Sequence, residues 1–552
     1  MSAQATVNIA RNATTAKLLA RVPPPAFSQA THRSRCLAQL RSKNSNLEMY
    51  IYLNGLKDRD PTLFYTLLYD NMRESIPCLL LINEMVPILY TPTVGDACLN
   101  YSHIWRRPEG MYISILDKGR IREVLTTWPN AREARIAVVT DGSRILGLGD
   151  LGANGLPIAV GKLDLYIACA GIRPSSTLPI CLDLGTSTER YLNDPLYIGV
   201  RRSRPSLEEM DEFMDEFMDA MKEVFPNSIV QFEDFSTDNA FKYLSRFRQK
   251  YRCFNDDIQG TGSVILSGLL NAANLASEAS GRPLTEHRIL FFGAGSAGIG
   301  VAKQLLSFFK FQGLSEADAT KQIWTVDSKG LITADRPGLQ EHKKFFARAD
   351  YHGPPLTNLV DIINHVKPTA VLGLSTIRNA FTKEVVEAMA THNTRPIIFP
   401  LSNPVSLSEL DFEDAINWTN GKVIFASGSP YKPISLAEKT FEPGQGNNMY
   451  IFPGIGLGAL IAKASRVTDS MVEQASVALA GSLDANERVA GLIYPRLDRI
   501  REISAMIALA VVRAAQDASV DGAPALRYVT DNTLLTYIKE QMWDPRPIKS
   551  HF

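Results

Sequence analysis

Neither sign of charge prevails in this sequence: 58 Lys and Arg side chains are matched by 58 Asp and Glu in 552 residues. Without a basic excess, nothing in the overall balance asks for DNA, RNA or an anionic membrane surface as partner. Cysteine is scarce, and the six present (Cys36, Cys78, Cys98, Cys169, Cys181 and Cys253) never fall at a C-x-x-C spacing. That argues against a disulfide scaffold and a structural zinc site, and for small buried thiols in a reducing compartment. No long apolar run is present either: residues 76–82 stop at Asn83 and Glu84, far short of the ~20 residues of a membrane span. Internal repeats and low-complexity tracts are missing. What remains is ordinary globular composition, 45% hydrophobic and 21% charged, with length for about three or four domains.

Acid is also missing locally. The first 47 residues hold no Asp or Glu but do hold Arg11, Lys17, Arg21, Arg33, Arg35, Arg41 and Lys43, the composition of a mitochondrial transit peptide. Residues 18–25 nevertheless read as a helix stop followed by Pro23, Pro24 and Pro25, which leaves few residues to discard. A cytoplasmic protein with a basic start is therefore expected, with mitochondrial import as the alternative.

The expected fold class is α/β and multidomain, with helical parts at both ends. Helical periodicity suggests a mostly helical N-terminal domain over 1–108. The chain is helical again over 448–520, and an α/β region runs over 109–255, with β-rich runs at 136–139 and 163–170. Within it, Ser206 and Glu209 have capping-box spacing before a helix that carries Met210, Phe213, Met214, Phe217, Met218 and Met221 on one face. That face reads as core packing, not as a partner groove. Strands at 288–292, 323–327, 370–374, 397–400 and 423–426 alternate with helical stretches, which predicts a parallel, Rossmann-like sheet over 256–447. Residues 521–552 read as a polar, aromatic tail.

Gly293, Gly295 and Gly298, with Ser296 and Ala297 between them, satisfy G-x-G-x-x-G between an apolar strand and a helix. There the backbone can approach a pyrophosphate at free N–H groups. Asp327 ends the next strand and is placed to accept from an adenosine ribose hydroxyl. Such an acid favours NAD, whereas Ser328, Lys329, Lys343 and Lys344 offer a donor and cations to the 2′-phosphate of NADP, and the residues alone leave the two cofactors even. Gly147, Gly149 and Gly152 match the same spacing, but Asn154, Gly155 and Pro157 follow and argue against a helix there. These glycines are expected to permit close backbone approach, with Arg144 upstream as the functional member.

Two acid pairs, Glu233-Asp234 and Asp256-Asp257, stand at strand ends without His or Cys nearby. Oxygen donors alone suit Mg2+ or Mn2+. Neighbouring residues of a strand face opposite ways, so Glu233 and Asp234 can share a cation only if the strand ends or bends there. Lys162 stands in an apolar stretch, where desolvation would make it a usable base. Tyr90 lies where a helix meets a Pro/Gly loop, with its phenol either facing a cleft or buried and satisfied.

Taken together, residues 90–95, 139–152, 231–235, 254–261, 401–404 and 443–448 resemble a malic enzyme of the large eukaryotic type, in the family's order over roughly residues 50 to 520. The resemblance implies oxidative decarboxylation of L-malate to pyruvate and CO2 with reduction of NAD(P)+. It implies Glu233, Asp234 and Asp257 as metal ligands, Lys162 as base assisted by Asp256, and Tyr90 as the acid at C3. Arg144, Asn403 and Asn448 would hold the substrate, with Asn403 also beside the cofactor. Residues 326–332 look like the NADP-preferring members, and a homo-oligomer, dimer or tetramer, is expected. The stretch between Tyr65 and Tyr90 departs from the family pattern by being longer. The rival readings are an NAD-preferring enzyme, a hydroxy-acid dehydrogenase that does not decarboxylate, and a non-catalytic dinucleotide-binding protein.

Overall fold

Two mainly parallel sheets carry the architecture in a computed structural model that describes residues 29–70, 85–403 and 405–545. The readings made at residues 1–28, at 76–82 with Cys78, at Pro404 and at 546–552 lie outside the described residues. The chain divides into two compact units, Val94–Trp543 and Met1–Thr93 with Asp544–Phe552. In the latter, helices Gln29–Arg41, Asn46–Arg59 and Pro61–Asp70 precede a helical stretch at residues 85–89. Ser45 caps the second of these by accepting from the Glu48 N–H.

In the larger unit, β1 (Met111–Ser114), β2 (Ile136–Thr140), β3 (Thr177–Asp183), β4 (Ile229–Phe232) and β5 (Cys253–Asn255) form a sheet in the order β1-β3-β2-β4-β5. Every neighbouring pair is parallel. All of β2 and β4 is buried, so, Thr140 and Gln231 aside, these strands read as apolar runs, not as alternation. Helix Leu207–Val224 turns Met210, Phe213, Met214, Phe217, Met218 and Met221 into the core against this sheet. At its start the Ser206 side chain accepts from the Glu209 N–H at 3.2 Å.

The second sheet contains β6 (Ile289–Phe292), β7 (Ile323–Asp327), β8 (Gly330–Leu331), β9 (Ala370–Gly373), β10 (Ile397–Pro400) and β11 (Ile424–Ser427). A separate antiparallel ribbon, β12 (Ile434–Leu436) with β13 (Lys439–Phe441), precedes its last strand, β14 (Gly444–Gln445). The order is β14-β11-β10-β9-β6-β7-β8, parallel except for the β7–β8 pair. Helices Asp469–Gly481 and Ile500–Asp517 follow.

Three expectations are corrected. Residues 163–170 are helical, not β-rich: they belong to helix Leu156–Ala170, whose 15 residues are all buried. A helix buried all round shows no 3.6-residue period and cannot be told from a strand by pattern. Pro157 does not forbid this helix, because it sits in the first turn, where its missing N–H has no partner to lose. Residues 521–552 hold more than a tail, since helix Asp531–Gln541 buries Leu534 and Ile538. The five described cysteines are free and buried, and no helix among the described residues is long and apolar enough to cross a membrane.

Candidate active site

In the first sheet β3 lies on one side of β2 and β4 on the other, so the winding reverses beside β2. Such a switch point opens a crevice at the carboxyl ends of the strands. Three loops meet there. β4 ends at Phe232, and Asp234 turns the chain through the left-handed region with φ 55°. Its Oδ2 accepts from the Leu146 N–H at 3.1 Å, and its carbonyl accepts from the Arg144 N–H at 3.2 Å. Its own N–H donates to Asp257 Oδ2 at 2.8 Å, just beyond β5.

This bend brings the adjacent acids to one place. Glu233, Asp234 and Asp257 each offer an oxygen within 4.8 Å of the others. Burial pushes the carboxyls of Glu233 and Asp234 up, aided by the negative charge of Asp257 and, for Glu233, opposed by Lys162. Asp257 is pushed up to about 6, again by burial first. Three repelling carboxylates with no His or Cys among them form a donor set that a hard divalent cation would relieve.

Lys162, from the middle of helix Leu156–Ala170, reaches the same cluster. Its Nζ donates to Asp256 Oδ2 and lies 3.0 Å from Glu233 Oε1. The Phe452 ring lies beneath it, 4.7 Å from Nζ to centroid. The apolar setting read from the neighbours of Lys162 is therefore wrong at the amine, because the helix carries Nζ past its own apolar side chains to two acids. Asn448 Nδ2 donates to the same Asp256 Oδ2 at 3.0 Å and to Thr261 Oγ1 at 3.0 Å. Asp256 Oδ1 has no hydrogen-bond partner among the described residues.

Arg144 is exposed at this crevice, and its guanidinium donates to Thr237 Oγ1. Behind it, Gly142 and Gly152 close the loop: the Gly142 carbonyl accepts from the Leu151 and Gly152 N–H groups, and a Cβ on Gly142 would lie 1.9 Å from the Gly152 oxygen. Arg204 braces the same loop, donating to Asp150 and to the Asp141 carbonyl. Burial raises the Asp141 carboxyl, with the Arg204 charge opposing.

The second sheet reverses between β6 and β9, and the Gly293 turn stands at that point. Gly293 has φ 115°, Gly295 caps helix Ser296–Gln304, and a Cβ on Gly298 would lie 2.1 Å from the Gly293 oxygen. The side chains of Ser296 and Ala297 lie outside the described residues. At the end of β7, Asp327 does not stand open to a ribose. Arg336 donates to both its oxygens, Lys343 donates at 2.7 Å, and the Lys329 N–H donates at 2.9 Å. Burial alone would raise this carboxyl, but the Arg336 and Lys343 contacts hold it below the usual range. Ser328 and Lys329 are exposed, while Lys344 pairs with Glu341 at 2.5 Å.

Asn403 follows β10 and accepts from Ser429 Oγ at 2.5 Å. Tyr90 is buried in the smaller unit, its N–H donating to the Val86 carbonyl at 2.8 Å.

Residues 63–248 match the family described as malic enzyme, N-terminal domain, and residues 258–516 match malic enzyme, NAD binding domain. The chain belongs to the malic enzymes. A relative named NADP-dependent malic enzyme from Dictyostelium discoideum is 49% identical over 91% of this chain and 90% of that one. NADP-dependent malic enzyme 2 of Arabidopsis thaliana is 46% identical over 90% and 82%. The crystal structure of the Entamoeba histolytica malic enzyme matches with a TM-score of 0.56 at 23% identity, over 91% of this chain and 89% of that one, which bears on the fold alone.

Sequence reasoning overlooked several residues of this malic enzyme. Arg204 finds its acid only through tertiary folding, and Arg336 meets Asp327 nine residues earlier as the chain folds back after β8. Glu409, fully buried, accepts from the Ser375 N–H and from Ser402 Oγ and so ties the loops after β9 and β10 together. Gln231 did leave a signal, because two residues before Glu233 it shares that strand face.

Proposed function

We propose that the chain catalyses the NADP-dependent oxidative decarboxylation of L-malate to pyruvate and CO2. The observation that carries this reading is the Lys162 amine set against Glu233 and Asp256 beside three converging carboxylates. Glu233, Asp234 and Asp257 would hold a divalent cation, Mn2+ or Mg2+, whose chemistry there is that of a Lewis acid towards hydroxy-acid oxygens. Bound NADP+ supplies the hydride acceptor.

The chain's own groups handle the protons. Lys162 in its neutral form takes the C2 hydroxyl proton as hydride leaves C2, and Asp256, in contact with Nζ, takes the lysine proton beforehand. Asn448 donates to the same Asp256 oxygen as Lys162 does and holds the carboxylate in place. Oxidation places a carbonyl β to the remaining carboxylate, so CO2 departs and leaves an enolate, which Tyr90 protonates at C3. Arg144 binds a substrate carboxylate by a charge-assisted contact, and Asn403 and Asn448 complete the hold.

The preference for NADP rests on Asp327. With its charge matched by Arg336 and Lys343, it does not repel a 2′-phosphate, and Ser328 and Lys329 are exposed to meet one. We assign the substrate and metal role to residues 109–255 with 448–520, and the dinucleotide role to 256–447. A homo-oligomer in the cytoplasm completes the reading; sedimentation and N-terminal sequencing of native protein test those two points. The function itself is tested by steady-state turnover of L-malate with NADP+ and NAD+ in parallel. Turnover faster with NADP+ is expected, and no reduction of either cofactor would end the proposal.

A further inference from the structure

Behind the carboxylate cluster runs a chain of donors that the reaction just described does not use. Tyr166 stands one helical turn beyond Lys162 on helix Leu156–Ala170 and is fully buried. Its hydroxyl donates to Gln231 Oε1 at 2.6 Å, and Gln231 Nε2 donates to Glu233 Oε2 at 2.9 Å. The other oxygen of Glu233 is the one beside Lys162. Chemistry fixes the direction of this chain. A carboxylate only accepts, so the amide must turn its NH2 group to Glu233, which leaves its oxygen to face the phenol. The phenol then has to donate.

The surroundings hold these groups in a single arrangement. Gln231 is fully buried on the inner strand β4, with Glu233 two residues further along the same face. The Tyr166 ring meets Phe452 edge to face with centroids 4.9 Å apart, and Phe452 is the ring beneath the Lys162 amine. Helix Phe452–Ile461 approaches so closely that a Cβ on Gly456 would lie 2.6 Å from Tyr166 Cε1. Nothing larger than hydrogen fits there without moving the ring.

We propose that Tyr166 and Gln231 are positioning residues for the metal centre: they hold Glu233 by one carboxylate oxygen in the rotamer that meets Asp234 and Asp257. This rests on the reading of Glu233 as a metal ligand. Fully hydrogen-bonded partners behind a ligand fix its orientation, and their loss commonly lowers metal affinity by about 10–100-fold. Tyr166 acts through Gln231, so the two are not independent. Once Gln231 is replaced, the phenol has no route to the carboxylate.

The test is direct Mn2+ binding to the full chain, without malate or cofactor, read by calorimetry or by the signal of free Mn2+ in electron paramagnetic resonance. The proteins are wild type, Gln231→Met, Tyr166→Phe, the double variant and Glu233→Gln. Gln231→Met is expected to weaken Mn2+ about 10-fold or more, and Tyr166→Phe by a smaller factor. The double variant should be no weaker than Gln231→Met alone, as expected if the phenol acts only through the amide. Tyr166→Phe removes only a hydroxyl and keeps the ring, so it carries the test if Gln231→Met fails to fold. Wild-type affinity in a folded Gln231→Met or in Tyr166→Phe, with Glu233→Gln impaired, overturns this proposal and leaves the metal assignment standing. Wild-type affinity in Glu233→Gln as well overturns the metal assignment itself.

Discussion

The Nζ of Lys162 lies 3.0 Å from Oε1 of Glu233, with both side chains 2% exposed. An amine buried between two acids settles their charge as well as serving the reaction. Removing one partner of such a set commonly costs about 3–5 kcal/mol, because the charge left behind has no water to turn to. Lys162→Met is therefore expected to lower the thermal midpoint and to lose turnover by at least ~100-fold. Lys162→Arg keeps the charge but cannot act as a base at neutral pH, so it should lose turnover with less loss of stability. Thermal unfolding and malate turnover on both variants check this.

The three carboxylates at Glu233, Asp234 and Asp257 repel one another in a buried place. A cation that binds them only in the folded chain stabilises it by mass action, about 2.7 kcal/mol at a hundredfold excess over Kd. Mn2+ added to chelator-treated protein is expected to raise Tm, and the rise should vanish in Asp257→Asn. Calorimetric scans with and without Mn2+ measure it, and an equal rise in the variant would remove Asp257 from the ligand set.

Cofactor choice should turn on Arg336, the bidentate partner of Asp327. Arg336→Ala leaves the Asp327 charge only partly matched, with Lys343 still paired to it, where the 2′-phosphate is expected. A charge-assisted contact is worth about 1.5–3 kcal/mol, so kcat/KM for NADP+ should fall roughly 10- to 100-fold. The value for NAD+ should change much less. Adding Asp327→Asn to that variant should recover part of the loss, and parallel kinetics with the two cofactors show whether it does.

Acid should loosen the second sheet through His287. This ring is 2% exposed, in hydrogen-bond contact with Ser277 at 2.9 Å and with Thr369 at 3.0 Å. Burial pulls its pKa down to about 4. The unfolded chain, titrating near the ordinary 6.5, therefore binds the proton first as pH falls. The stability His287 confers is complete above about pH 6.5 and is lost towards pH 4, by up to ~1.4 kcal/mol per pH unit. Denaturant unfolding across this range should show a shallower acid slope for His287→Gln than for wild type.

The strands were largely legible because they are buried apolar runs bounded by turn residues: β7 and β10 fall on their expected limits, Ile323–Asp327 and Ile397–Pro400. Helix Leu156–Ala170 was misread in part for the same reason, since burial on every side erases its period. Residue type picked out the acids of the site, and the need for a bend at Glu233-Asp234 followed from strand alternation. The bend itself, a left-handed Asp234, has no mark in the sequence. Nor does the pairing of Arg204 with Asp150, 54 residues apart, which exists only once distant segments meet, or that of Arg336 with Asp327, nine residues apart and set by the fold of the segment between them.

The central claim is that oxidation and loss of CO2 occur together, and it is tested most directly by their stoichiometry. L-malate, NADP+ and Mn2+ are supplied to the purified chain while NADPH and CO2 are measured in the same vessel. One CO2 for each NADPH, with pyruvate as product, is the predicted result. NADPH formed without CO2, with oxaloacetate accumulating, would contradict it and make the chain a hydroxy-acid dehydrogenase.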